Sequence, residues 1–214
     1  MGKFPEPPGV EVLRSIEPVL HRLAAGTLVS RLYFVGGEHP TSWDTFRHVG
    51  PTTSRFDHHL PDGQGSAQQQ DRGIMYLATG PEAIPTCLAE VFQATRLIDR
   101  HARDPVLTGF ALADDLALLD LSGPFATAIG ASMAVHSGPR PRARRWAQQL
   151  YDAYPTIDGL LYCASMYANA PAIALFERGA RAIPERPVFH RELRDAVMAN
   201  ILTETARVIG YQVV

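Results

Sequence analysis

The 214-residue chain predicts an α+β fold, a single domain in which mixed β-sheets are flanked by helices. Three observations carry this. Segments with strand patterning and segments with helical patterning are interleaved without βαβ regularity, and no Gly-x-Gly-x-x-Gly follows a strand, which argues against a doubly wound sheet. The length suits one well-buried domain, and no internal repeat divides it. The hydrophobic share of 46% and charged share of 20% are those of an ordinary globular chain.

The elements follow in order. Residues 1–8 are Pro-rich and predict an extended arm. Val12, Leu13, Ile16, Val19, Leu20 and Leu23 predict a helix over 10–25, stopped by Gly26. A strand over 28–35 carries Arg31 on the face shared with Val29, Tyr33 and Val35. A loop over 36–50 has Trp43 and Phe46 as anchors, and the Gln-rich stretch 61–72 reads as a mobile loop. A strand over 74–78 leads through a Gly-Pro turn to a helix over 82–100, with Ile84, Leu88, Val91 and Thr95 on its core face and Glu82, Gln93, Arg96 and Arg100 on its wet face. Strands over 106–112 and 116–121 flank Ala113-Asp-Asp, which reads as a hairpin turn. A helix over 140–154 points Trp146 and Leu150 inward. Strands over 159–162 and 172–177 follow. After a break at 184–187, a closing helix over 191–209 turns Leu193, Val197, Ile201 and Leu202 inward. That last stripe closes the core or forms an interface with a partner or a second copy.

Composition limits the function. A net charge of −2 gives no field for nucleic acid. The two cysteines, Cys87 and Cys163, lie in apolar surroundings without a Cys-x-x-Cys pair, which fits free thiols in a reducing compartment rather than a zinc site. The N-terminus has no apolar signal core and no apolar run is long enough to cross a bilayer, so a cytoplasmic location is expected.

Polar residues that break the apolar patterning are the candidate site. Glu90 sits at the shoulder of its helix's apolar stripe, either as an ordinary surface carboxylate or as one opening into a cleft. Arg31 inside a strand either points to water or needs an anionic partner. In Ser54-Arg55-Phe56-Asp57-His58-His59, Arg55 beside an aromatic ring suits a phosphate clamp. The adjacent histidines point to opposite faces if the segment is extended, which argues against a shared metal ion. Ser165 lies just past a strand end, where ligand groups commonly project, although a plain turn hydroxyl has the same signature. No Gly-x-Ser-x-Gly supports a serine hydrolase. A two-carboxylate glycosidase would need a second acid, and nothing selects one among Asp57, Asp114, Asp115 and Asp120.

Taken in order, Arg31-Leu-Tyr33, Ser54-Arg-Phe-Asp-His-His59, Ile74-Met-Tyr76-Leu-Ala, Leu88-Ala-Glu90-Val-Phe, Leu118-Leu-Asp120-Leu and Asp158-Gly-Leu-Leu-Tyr162-Cys-Ala-Ser165 followed by Ile173-Ala-Leu-Phe176 resemble the RES domain family. The likeness runs from about Val29 to Gly179. It implies a fold similar to ADP-ribosyltransferases, with an N-terminal arm and helix over 1–28, a catalytic domain over 29–180 and a C-terminal helix over 181–214. It further implies an NAD⁺-consuming toxin of a toxin–antitoxin pair that cleaves the nicotinamide–ribose bond by hydrolysis or phosphorolysis, with an Xre-like helix-turn-helix antitoxin as partner. A protein ADP-ribosyltransferase and a non-catalytic binding module are the alternatives. The implied catalytic residues are Glu90, Arg31 and Ser165. NAD⁺ would be held by Arg31, Tyr33, Arg55, Tyr76 and Ser165, as substrate, with no metal or other cofactor. The Leu between Arg31 and Tyr33, and Ala164 where a serine would fit equally well, depart from the family pattern.

Overall fold

The computed structural model describes residues 4–214; residues 1–3 of the expected arm lie outside the described residues. In chain order the elements are α1 (Val10–Arg14), β1 (Leu20–Leu23), β2 (Leu28–Phe34), β3 (Arg47–Gly50), β4 (Gln68–Thr79), α2 (Ala83–Val91), β5 (Leu97–Ile98), β6 (Pro105–Ala111), β7 (Leu116–Asp120), α3 (Phe125–Ala128), α4 (Ala134–Ser137), α5 (Arg140–Ala153), β8 (Gly159–Cys163), β9 (Pro171–Phe176), β10 (Phe189–Glu192), α6 (Ala199–Ile209) and β11 (Gln212–Val213). Nine strands form one mixed sheet in the order β1-β7-β8-β9-β4-β2-β6-β10, with β3 on β4, and helices flank it. The β7–β8 pair is parallel, while β5 and β11 make a separate parallel pair.

The predicted helix over 10–25 stops at Arg14. Pro18 lacks the N–H that a helix interior needs and disfavours helical backbone at Glu17, so the apolar residues beyond it join the sheet as β1. The arm is extended and pinned. Phe4 is buried and stacks on Trp146, the indole N–H of Trp146 donates to Pro5 O at 3.0 Å, and Glu6 pairs with Arg142 and Arg145 of α5.

β6 and β7 are not neighbours, so Ala113-Asp-Asp is not the expected hairpin turn. One antiparallel register runs from Leu20↔Leu119 to Leu23↔Leu116 and resumes at Leu28↔Ala111 through to Phe34↔Pro105. The gap is closed by Gly26 N–H on Leu112 O at 2.8 Å and Leu112 N–H on Thr27 O at 3.0 Å. Asp115 accepts from Ala25 N–H at 2.8 Å and stitches the bend. The β1–β7 half of this ribbon ends the strand order on one side and the β2–β6 half lies one strand in from the other end, so the sheet curls round on itself.

The Gln-rich stretch enters β4 at Gln68 instead of staying a loop. The polar half of β4 is a ribbon with β3 that faces water, and its apolar half, Ile74–Thr79, is inside the sheet. Trp43 packs edge-on against Phe110 at 5.5 Å and Phe46 is buried, so the loop before β3 is anchored as expected.

α2 ends at Val91, well short of Arg100. Arg96 takes a left-handed conformation (φ 56°), and Leu97–Ile98 leave to pair with the C-terminal strand. The buried face of α2 is Ala83, Thr86, Cys87, Leu88 and Ala89, while Val91 and Thr95 are exposed. The closing helix is shorter too: β10 and a 3₁₀ turn capped by Asp195 occupy its expected first half. This shifts the inward face to Leu193, Met198, Leu202 and Ala206, and leaves Val197 and Ile201 exposed.

Three apolar clusters fill the interior. Trp146 and Leu150 of α5 pack with Phe56, Tyr162 and Phe176. Val29, Met75, Leu77, Phe110 and Leu118 make a second. α2 and α6 bury Leu88 and Leu202 against Leu32 and Leu107 in a third. One irregularity places the site. β2 and β4 share only two pairs, Val29↔Thr79 and Ser30↔Ala78, and then part. A cleft opens where they separate, beside the C-terminal end of α2.

Candidate active site

The cleft encloses about 280 Å³, near the low end of the ~300–1,000 Å³ of typical ligand clefts. Its walls come from the loop before β4 (Thr53, Ser54, Arg55), β4 (Tyr76), α2 and the turn after it (Glu90, Val91, Gln93), the start of α5 (Arg140), β8 (Tyr162) and the loop after β8 (Ser165).

Glu90 lies in the last turn of α2 and is half-buried. Its Oε1 accepts from Met166 N–H at 3.0 Å and from the Ser165 hydroxyl at 3.4 Å. The loop carrying these donors leaves β8 through buried Ala164 and turns back at Ala168 and Asn169, both in the left-handed region. Tyr167 O–H donates to Glu82 Oε2 at 2.9 Å, so the loop is strapped to α2 at both of the helix's ends. Ser165, not Ala164, is the residue beside the carboxylate.

Arg55 is half-buried, and its Nη1 donates to Gly138 O at 2.6 Å. Burial and the neighbouring Arg140 charge push its guanidinium below the ordinary arginine range, with Glu90 acting in the opposite direction. Phe56 next to it is fully buried against Tyr162, ring centroids 4.6 Å apart, and fixes the backbone from which Arg55 projects. The loop is pinned from behind by Asp57. One carboxylate oxygen accepts from Thr52 N–H at 2.6 Å, Thr52 O–H at 2.7 Å and Arg47 Nη2 at 2.9 Å, and the other accepts from His59. Burial works against the Asp57 charge, but the His59, Arg47 and Thr52 donors outweigh it and hold this carboxyl well below the usual carboxylate range.

Tyr76 turns its hydroxyl towards Ser54 and the Phe56 backbone, yet the buried oxygen completes no hydrogen bond among the described residues. Burial, with the Asp57 charge, raises its phenol well above 10. Burial also raises Tyr162, helped by Glu90 and Tyr76. Both rings remain neutral surfaces.

Arg55, Tyr76, Glu90 and Ser165 are therefore brought together, and Arg31 and Tyr33 are not. Leu32 lines the cleft, so by strand alternation its neighbours face away. Arg31 is 7% exposed and donates from Nη1 to Trp43 O at 2.7 Å, with its guanidinium carbon 5.4 Å from the Tyr33 ring centroid. Burial lowers its pKa to about 10, against the opposing pull of Tyr33 and Asp44. Tyr33 is buried near His190.

Sequence reasoning missed Arg140, Gln93 and Tyr162 as wall residues. Gln93 was read on the wet face of a longer helix, and it lies instead in the turn just after α2, where helical spacing gives no direction. Arg140 is one of four arginines in Arg140-Pro-Arg-Ala-Arg-Arg145, and no local pattern singles it out. His58 and His59 are both fully buried, their rings 5.3 Å apart. Among the described residues, no group of three His, Cys, Asp or Glu side chains is placed to hold a metal ion.

No family model matches the sequence, and no curated protein matches it by sequence. The fold is similar to that of a chain in the crystal structure of the M. tuberculosis MbcT–MbcA toxin–antitoxin complex. The TM-score is 0.56 at 17% identity, over 91% of this chain and 96% of that one. The likeness at that identity is one of fold. Among the described residues, no helix is long and apolar enough to cross a membrane.

Proposed function

We propose that this chain cleaves the bond between nicotinamide and ribose in NAD⁺, and that it acts as the toxin of a toxin–antitoxin pair. The observation that carries the reading is the arrangement of charge in one cleft: the Glu90 carboxylate shares it with the guanidinium of Arg55, and two neutral tyrosine rings line the wall. NAD⁺ has the complementary pattern, a cationic pyridinium–ribose next to an anionic diphosphate.

In this reading the C1′–N bond breaks and its electron pair leaves with nicotinamide, which departs neutral and needs no acid. Positive charge develops on the ribosyl C1′–O4′ unit. Glu90, held by Met166 N–H and Ser165, stabilises that charge or orients the ribose hydroxyls. An acceptor oxygen, from water or phosphate, then bonds to C1′; water gives its proton to solvent. Arg55 holds a phosphate by charge-assisted hydrogen bonds. The Tyr76 and Tyr162 rings flank the base or the ribose. The resemblance to the RES family and the fold likeness to a toxin–antitoxin chain support the toxin role, and with it an antitoxin partner of the Xre-like helix-turn-helix kind and a cytoplasmic site of action.

Incubation of the purified chain with NAD⁺, following free nicotinamide, tests the reaction. Release together with free ADP-ribose marks hydrolysis, and release that depends on inorganic phosphate marks phosphorolysis. Label transferred to a protein would replace the reading by ADP-ribosyl transfer. No release, with the dinucleotide still bound, would replace it by a binding module.

A further inference from the structure

We infer that Arg140, at the first turn of α5, is the second cation of the anion-binding wall, and that the cleft grips a diphosphate between Arg55 and Arg140. This rests on the dinucleotide reading of the cleft and moves a role that the family resemblance gives to Arg31.

Arg31 is on the wrong face of β2 and spends Nη1 on Trp43 O, where it ties the loop before β3 to the sheet. Arg140 lines the cleft itself. It donates from Nη2 to Gln93 Oε1 at 2.6 Å, and Gln93 Nε2 donates in turn to Glu90 O at 2.5 Å. Arg140 is thus located relative to the carboxylate through a single side chain. Pro139 and Pro141 flank it, and their fixed φ stiffens the backbone that presents it. Arg55 is tied to the same short stretch through Gly138 O. Two guanidinium groups from distant parts of the chain are therefore set by one turn, Gly138-Pro139-Arg140.

Both remain short of an anion. Each donates to a neutral acceptor, and among the described residues neither lies within ion-pair distance of a carboxylate. A guanidinium carries five N–H donors, so each keeps several for a ligand. With Glu90 counted, the wall carries one net positive charge, and the mutual repulsion of Arg55 and Arg140 is relieved by a ligand bearing one negative charge for each. A diphosphate supplies that.

Isothermal calorimetry with inorganic pyrophosphate, inorganic phosphate and nicotinamide riboside tests this on wild type, Arg140→Ala and Arg144→Ala. Arg144 lies on the same helix outside the cleft, so its variant loses the same formal charge elsewhere. Loss of a charge-assisted contact of about 1.5–3 kcal/mol is a drop of roughly 10- to 100-fold in affinity. Arg140→Ala should weaken pyrophosphate by that factor and leave nicotinamide riboside within about twofold, while Arg144→Ala should bind pyrophosphate like wild type. Pyrophosphate should also bind wild type more tightly than phosphate does. Unchanged pyrophosphate affinity in Arg140→Ala, an equal loss for nicotinamide riboside, or no pyrophosphate binding by wild type would each overturn the inference. Arg140-dependent pyrophosphate binding in a protein that leaves NAD⁺ intact would instead sink the proposed reaction and leave the anion site standing.

Discussion

Glu90→Gln isolates charge from shape. The amide keeps the length of the side chain, and its Oε1 can still accept from Met166 N–H, the 3.0 Å contact that locates the carboxylate. What disappears is a negative charge in a half-enclosed cleft, opposite the position where a ribosyl cation would form. Removing one preorganised electrostatic group of this kind costs roughly 10²–10³ in rate, or about 3–4 kcal/mol of transition-state stabilisation. The folded state should lose far less. Glu90 is half-buried and makes no ion pair within 4 Å among the described residues, so the charge it gives Arg55 at longer range is worth under about 1 kcal/mol. The expected result is nicotinamide release slowed by two to three orders of magnitude, with the melting temperature within a few degrees of wild type. Turnover within about threefold of wild type in a normally folded variant would refute the reasoning, because it would place the developing charge out of reach of Glu90.

Tyr76→Phe removes a buried hydroxyl that completes no hydrogen bond among the described residues and keeps the ring that lines the cleft, so denaturant titration should show unchanged or slightly higher stability, by up to about 1 kcal/mol, with kcat/KM for NAD⁺ within about threefold of wild type; a destabilised variant would mean that the hydroxyl is satisfied internally. Asp57→Asn strips a fully buried acceptor from Arg47, His59 and Thr52, and should cost about 3 kcal/mol or more in urea unfolding, with catalysis impaired through Arg55; a loss below about 1 kcal/mol would show that the loop holds itself. Stability should also fall on mild acidification. Burial lowers His58 from 6.5 to about 4, with Glu177, 3.8 Å away, only partly opposing it. The unfolded chain therefore binds the proton first, so stability is full above pH 6.5 and is lost as pH falls towards 4, by about 2 kcal/mol between pH 7 and 5. Further acid titrates Glu177, whose burial is outweighed by His58, Tyr151 and Gly73 N–H so that its pKa falls to about 2. In a His58→Phe variant the loss between pH 7 and 5 should shrink to the share of His136, which burial also holds below the ordinary imidazole range; an unchanged slope by chemical denaturation would assign the whole loss to other groups.

Which features could be read from sequence follows from how local their causes are. Glu90 stood out because helical periodicity is a local property, but the stripe read beside it was rotated: of Ile84, Leu88, Val91 and Thr95 only Leu88 is fully buried, and the real buried face runs through Ala83, Thr86 and Cys87 towards Glu90 itself. Arg55 gained meaning from Phe56, its immediate neighbour, and Ser165 from the strand end before it. Arg31 shows the limit. Alternation correctly grouped Arg31 with Val29 and Tyr33, but which face of β2 looks into the cleft depends on where α2 packs, and that is a tertiary fact. The long N-terminal helix failed for a local reason that was in plain view, since Pro18 interrupts it. The hairpin between β6 and β7 failed for a non-local one, because the strand that competes for them is the β1–β2 ribbon, some ninety residues earlier.

The same ribbon explains why the site lies where it does. Because β2 pairs with β6 along its whole length, its course past Ser30 is dictated by β6 and not by β4. β4, for its part, is held by β9 from Ile74 to Ala78. Two strands committed to different neighbours must diverge, and the gap between them cannot be closed by more sheet. It is lined instead by side chains that need not pack: Tyr76 from one strand, Leu32 from the other, and Glu90 from the helix that spans them. Arg55 and Arg140 reach the same gap from a loop and a helix start that share Gly138. The sheet thus sets the position of the carboxylate wall, and the contact between two chain segments sets the position of the cationic wall. Ligands that bridge the two walls should therefore rigidify the α5 start relative to α2, through Gln93, more than they alter either wall alone.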